Sequence, residues 1–217
     1  MVLTIIFSTT PGQTIKYTQN ASASGVLNRK VMGNEIESLT TTNAISRALA
    51  DTKVPGGIVR VFDCTEEPVK QRWQPGGASL SDILNAIVMT DPQYYWQLDN
   101  GVINVLPVAG EPALLSVRVK ELQVLNATSV YLAYSALMSL PDVKKAVMAL
   151  GLTDSFERLQ GPIPLGDDKI GFNVVCRDVT LREALNAIVR ADGKAVWAYH
   201  ERHCNGRDGF SIEFLVQ

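Results

Sequence analysis

Histidine is scarce in this 217-residue chain, with two in all, and cysteine occurs three times. So few histidines, both at 200–203, make a Ser-His-Asp arrangement improbable. No G-x-S-x-G elbow, P-loop or G-x-G-x-x-G stretch offers another route to a named reaction. Three cysteines at wide spacing give neither a disulfide framework nor a C-x-x-C motif. A basic excess is missing too: the formal net charge is −2, with no Lys/Arg cluster, which argues against a nucleic-acid partner. No apolar run approaches the roughly 18 residues that span a bilayer. The opening Met1–Phe7 is apolar but short and lacks a basic flank, so it is a poor signal peptide. It reads as a short first strand, the alternative being a leader lost upstream of Met1.

What the chain does have is a stretch stated twice. Ser79–Val88 reads SLSDILNAIV and Thr180–Val189 reads TLREALNAIV. In the first, Leu80, Ile83, Leu84, Ile87 and Val88 form one apolar stripe of a helix. Leu181, Ala184, Leu185, Ile188 and Val189 repeat it. Ser79 with Asp82 makes an approximate capping box, and Thr180 with Glu183 a full one. The same offset of 101 residues aligns Asp91 with Asp192 and Trp96 with Trp197. The repeat therefore comprises a capped helix, its stop and an aromatic hairpin strand.

Around the repeat, residues 1–37 read as an N-terminal arm, with Thr14–Tyr17 strand-like. A helix starts at Thr40–Thr42 and stops at Pro55-Gly56-Gly57. Strands follow at Ile58–Phe62 and Val69–Trp73. After the first repeated helix, Tyr94–Leu98 and Val102–Leu106 form a hairpin over Asp99-Asn100-Gly101, where Asn-Gly suits a tight turn. In the second half, a strand through Leu115, Val117 and Val119 leads to a helix from Thr128 or Ser129. A further helix covers Pro141–Leu150, and Phe156–Leu159 is a weak strand. Ile170–Cys176 is a strand before the second repeated helix. Ala195–Tyr199 and Phe210–Val216 then form a hairpin across a long polar loop, His200–Gly209. The expected fold is α+β, with one domain at 38–110 and a second at 111–217 carrying an inserted helix at about 141–150.

The unit [S/T]-L-x-x-x-L-N-A-I-V, followed by an aromatic strand, a tight turn and an apolar strand, resembles the secretin and TonB-receptor N-terminal (STN-like) domain. That resemblance implies a β-α-β-β-α-β-β order in each half and a periplasmic or cell-envelope location. It also implies no cofactor, no chemistry of its own, and docking to other envelope proteins. The expectation is thus a non-catalytic protein-binding or scaffolding module with an envelope partner, no nucleic acid and no membrane span. Two rivals stand beside it: an enzyme, cytoplasmic or secreted, with its site in an interdomain cleft, and a metal-regulated adaptor.

Recognition by strand addition needs an open sheet edge. The second hairpin strands, with Val102 and Asn104 in one and Phe210 and Ile212 in the other, are the candidate edges. His200, His203 and Cys204 are the compact set of potential zinc ligands, although their spacing is not HExxH. A Cys176–Cys204 disulfide is a second reading of that stretch, and a plain polar hairpin loop a third. Trp96 and Trp197, with Tyr94, Tyr95 and Tyr199, read as hairpin packing before a sugar or peptide platform. A local function should lie where the halves differ, in the helices at 128–150 and the stretch 200–209.

Overall fold

A computed structural model describes residues 25–63, 65, 67–154, 171–204 and 207–215. The strands read at Met1–Phe7, Thr14–Tyr17 and Phe156–Leu159 lie outside the described residues, as does Cys64. The fold is α+β, as the sequence implies. The first half runs β1 (Ile36–Thr40), α1 (Thr41–Thr52), β2 (Gly56–Asp63), β3 (Lys70–Trp73), α2 (Leu80–Thr90), β4 (Tyr94–Asp99) and β5 (Val102–Pro107). A 3-10 turn at Ala113–Ser116 leads into the second half: β6 (Arg118–Ala127), α3 (Val130–Met138), α4 (Pro141–Ala149), β7 (Thr153–Asp154), β8 (Phe172–Thr180), α5 (Leu181–Asp192), β9 (Val196–Cys204) and β10 (Arg207–Leu215). Apart from α4, the two halves have the same element order.

Local chemistry sets the boundaries. Thr40, in extended conformation, caps α1 by accepting from the Asn43 N–H at 3.3 Å, and Lys53 ends that helix in the left-handed region (φ 51°). Thr180 and Glu183 close a reciprocal capping box: the Thr180 N–H donates to Glu183 Oε2 at 2.7 Å, and the Glu183 N–H donates to Thr180 Oγ1 at 3.2 Å. Asp82, one methylene shorter, does not complete the same box. It accepts instead from the Ser79 hydroxyl at 2.5 Å, while its N–H donates to Ser79 Oγ at 3.2 Å. Pro141 opens α4 at a position whose N–H has no helical partner.

The described part of the N-terminal arm belongs to the first core. Leu27 and Val31 are buried there, and Arg29 Nη1 donates to the Thr52 and Lys53 carbonyls at 2.8 and 3.0 Å. Residues 27 and 31 of the expected N-terminal arm thus pack into the first core.

The two halves share one six-stranded sheet, in the order β4-β5-β2-β9-β10-β7. Within each half the second hairpin strand lies parallel to an earlier strand, β5 beside β2 and β10 beside β7. The seam between the halves is a parallel ladder from Gly56↔Val196 to Asp63↔His203. Two antiparallel ribbons, β1–β3 and β6–β8, stand apart from this sheet.

Residues alternate between the faces of a strand, and the cores follow that alternation. Ile58, Ile103, Val105, Val196 and Ala198 pack with α1 and α2, whereas Val59, Val102, Leu106, Trp197 and Tyr199 pack with α3 and α5. The first half thus covers one face of the common sheet and the second half the other. At the seam each half supplies side chains to the core of its neighbour.

Gly56 and Gly57 do not end a helix, as their Pro-Gly-Gly context suggests; they open β2. A Cβ on Gly57 would lie 2.2 Å from the Trp197 ring, and one on Gly56 would lie 2.5 Å from Leu49 Cδ1. The pair is glycine because a large side chain presses on each face of the strand. Two further expectations change. Leu115 sits in the 3-10 turn and the strand begins at Arg118. The long polar loop at 200–209 is mostly sheet, since β9 runs to Cys204 and β10 starts at Arg207.

Candidate functional site

Each half carries the same internal hydrogen bond. On α2 and α5 the asparagine of Leu-Asn-Ala-Ile-Val faces the following hairpin. Trp96 Nε1 donates to Asn85 Oδ1 at 3.0 Å, and Trp197 Nε1 donates to Asn186 Oδ1 at 2.9 Å. The bond fixes each helix on its hairpin, and it accounts for a polar residue inside an otherwise apolar stripe. The aromatic rings therefore serve packing: Trp96, Trp197, Tyr94 and Tyr199 are buried, and only Tyr95 is exposed.

The chemistry-bearing side chains gather on one face of β9 and β10. Tyr199, Glu201 and His203 follow one another at period two, which puts them on the same side of the strand. The buried Tyr199 hydroxyl donates to Glu201 Oε2. Glu201 Oε1 lies 3.1 Å from His203 Nε2, and Asp208 Oδ1 on β10 lies 3.0 Å from His203 Nδ1. The Asp208↔His203 register places the two side by side. Burial and the adjoining carboxylate push the Tyr199 phenol up, so it stays a donor. The Asp208 carboxylate, with Glu201, holds His203 above the ordinary histidine value.

Glu201, His203 and Asp208 line a cleft of about 180 Å³ together with Ala113, Leu114, Leu150 and Leu152. That is smaller than the several hundred Å³ of a site that takes a drug-sized ligand. A smaller polar pocket of about 20 Å³, room for a single water, lies beside Thr41 and Asp91. There Thr41 Oγ1 donates to Asp91 Oδ2 at 2.6 Å, and Gln71 Nε2 donates to Thr41 Oγ1 at 2.9 Å.

The zinc candidates are not brought together. His200 and His203 are three residues apart on a strand and so face opposite sides, and Cys204 is in a disulfide. His203 has a carboxylate on each ring nitrogen, so neither nitrogen shares a centre with a second ligand. No group of three or more potential metal ligands occurs among the described residues. His200, half-buried beside Arg60, is held below the ordinary value chiefly by burial.

The Cys176–Cys204 bridge is corrected as well. Cys176 is a free thiol, paired in register with Leu122 on β6, and burial pushes it up.

The proposed edge strands are not edges. β5 lies between β4 and β2, and β10 between β9 and β7, and Val102, Asn104, Phe210 and Ile212 are all buried. The reason is two parallel pairings over long sequence distance, β5 with β2 and β10 with β7, which carry no local signature. Among the described residues, the strands with a single strand neighbour include both members of the β6–β8 ribbon. That ribbon is also where large apolar side chains are most exposed in a strand: Leu125 at 61% and Val175 at 58%. The sequence signal for it was the alternation at 115–119, of which only the last two residues belong to the strand that runs to Ala127.

No protein-family model, curated protein or solved structure matches the chain. No helix among the described residues is long and apolar enough to cross a membrane.

Proposed function

We propose that the protein is a non-catalytic binding module of the bacterial cell envelope, built of two STN-like units, that takes an extended segment of a protein partner along the β6–β8 ribbon. The observation carrying this reading is the ribbon itself. Its strands run ten and nine residues, each has one strand neighbour among the described residues, and Leu125 and Val175 stand exposed on it. Unpaired backbone groups on such an edge are a template for an added strand, and alternate side chains supply the contacts. Two further observations support the reading. Each half has the β-α-β-β-α-β-β order, with α4 added in the second. Cys204 is a half-cystine, a state that persists in an oxidising compartment such as the periplasm.

The test is site-specific photo-crosslinking in cells, with the reactive side chain at Leu125, Val175 and, as a comparison, the exposed Met89 of α2. A protein adduct at Leu125 and Val175 and none at Met89 is expected. Leu125→Lys with Val175→Lys should remove binding of that partner while changing stability by less than about 1 kcal/mol, since both sites are exposed. Adducts at Met89 alone, or binding that survives both lysines, would overturn the ribbon as the recognition surface.

A further inference from the structure

The Glu201–His203–Asp208 row makes a demand that follows from atom positions alone. Both ring nitrogens of His203 lie against carboxylate oxygens, at 3.1 Å for Nε2 and 3.0 Å for Nδ1. A neutral imidazole has one N–H donor and one bare nitrogen, whereas the imidazolium has two donors. Only the imidazolium satisfies both contacts; in the neutral ring one nitrogen lone pair faces a carboxylate oxygen.

The two carboxylates are not equally held. Glu201 is the more buried, with its side chain 12% exposed against 47% for Asp208, and it also receives the Tyr199 hydroxyl. Loss of the imidazole proton therefore releases the Asp208 side and leaves the Glu201–Tyr199 pair in place. The backbone around the two contacts differs in the same sense. β9 is fixed next to His203 by the Cys204 disulfide and by the β2 ladder up to Asp63. On β10, Arg207 and Asp208 pair with β9 alone, and the ladder to β7 begins at the next residue, Gly209↔Thr153.

We propose that His203 is a pH-sensitive pin. As the imidazolium it ties the start of β10 to β9 and holds the polar wall of the 180 Å³ cleft closed; on losing its proton it frees Asp208 and loosens that wall. Among the described residues, the titratable groups around the ring are these. β9 contributes Glu201 and Tyr199, and β10 contributes Asp208. β2 places Asp63 beside His203 in register but outside its ion-pair contacts. The other residues lining the cleft, Ala113, Leu114, Leu150 and Leu152, carry no charge. Among the described residues no lysine or arginine makes an ion pair with either carboxylate. The sign follows: the pin is fully set below the ordinary histidine value of about 6.5 and is lost as pH rises through the elevated value of the folded protein.

The experiment is an NMR titration of the intact, oxidised protein, with the two imidazoles assigned through a His203→Asn variant. Amide exchange at Asp208, Gly209 and Phe210 is measured alongside, between about pH 5.5 and about pH 8.5, with the intrinsic pH dependence removed. His203 should titrate above free histidine, and Asp208→Asn and Glu201→Gln should each move its midpoint down. Exchange at Asp208 should rise several-fold on the alkaline side in the wild type and lose that pH step in Asp208→Asn. A merely structural aspartate would alter exchange equally at every pH. A His203 midpoint at or below that of free histidine, a midpoint unmoved by Asp208→Asn, or exchange without a pH step would each overturn the proposal.

Discussion

The two halves use the same tryptophan–asparagine bond in different surroundings, and the difference shows what the seam adds. Trp197 lies on β9, in the middle of the sheet, with β2 alongside and Gly57 directly under its ring. Its partner Asn186 is 1% exposed. Trp96 lies on β4, at the end of the described sheet, and its partner Asn85 is only half-buried. The same pair of residues is thus a sealed polar contact in one half and a partly solvated one in the other. Burial, and not the bond length, sets what each is worth, because an unmade hydrogen bond costs most where water cannot replace the lost partner.

The sharpest way to break this asymmetry is at Gly57. Gly57→Val places side-chain atoms where the Trp197 ring already lies, 2.2 Å from a built Cβ. The expected destabilisation is about 3 kcal/mol or more, read by denaturant unfolding. Combining the milder Gly57→Ala with Trp197→Phe should recover part of the loss, because the contacting indole atoms are gone.

Next in size is the paired replacement of the tryptophans. Trp197→Phe leaves the Asn186 carbonyl buried without a donor and should cost about 2 kcal/mol, whereas Trp96→Phe leaves Asn85 within reach of water and should cost about 1 kcal/mol. Equal losses would mean that the two environments are alike in solution.

Smallest is the helix cap. Thr180→Ala removes a reciprocal box and should cost about 1 kcal/mol, and Ser79→Ala, which removes a one-sided cap, about half of that. The cap also has a pH signature in one half. The Thr180 N–H, as a donor, holds Glu183 below the usual carboxylate range. Its contribution is present above the ordinary glutamate value of about 4.3 and is lost as pH falls through the lower folded value. An acid unfolding curve should therefore show a step that Glu183→Gln removes.

Much of the fold was legible because its determinants are local. Hydroxyls preceding apolar periodicity marked caps at Thr40–Thr42, Ser79, Thr128 or Ser129, and Thr180, and of these Thr40, Ser79, Ser129 and Thr180 accept a backbone N–H in the structure. Asn100 and Gly101 give the first hairpin its turn, with φ values of 49° and 83°. The Asn85–Trp96 bond was within reach too, since both residues recur at one offset, but pairing them requires knowing that the helix lies over the hairpin. What escaped reading was long-range. Nothing local announces that β5 pairs with β2 or β10 with β7, so the strands taken as edges turned out to be interior, and nothing in Gly56–Asp63 announces its parallel partner at Val196–His203. The candidate site was hidden for a related reason. His200–Cys204 has the composition of a loop, and only pairing with β10 makes it a strand that sets Glu201 and His203 on one side.

The seam also dictates an order of events when the chain is made. β2 leaves the ribosome early, but its partner β9 follows only after both the first hairpin and the β6–β8 ribbon. Pairing over such a sequence distance is slow to close, since its loop entropy must be overcome before the contact forms. Until then β2 offers an uncovered parallel edge, and the first half lacks Val196 and Ala198, two side chains of its own core. A chain truncated after β5 would present that edge permanently, with Gly56 and Gly57 as its flattest and least protected segment, and would be prone to self-association.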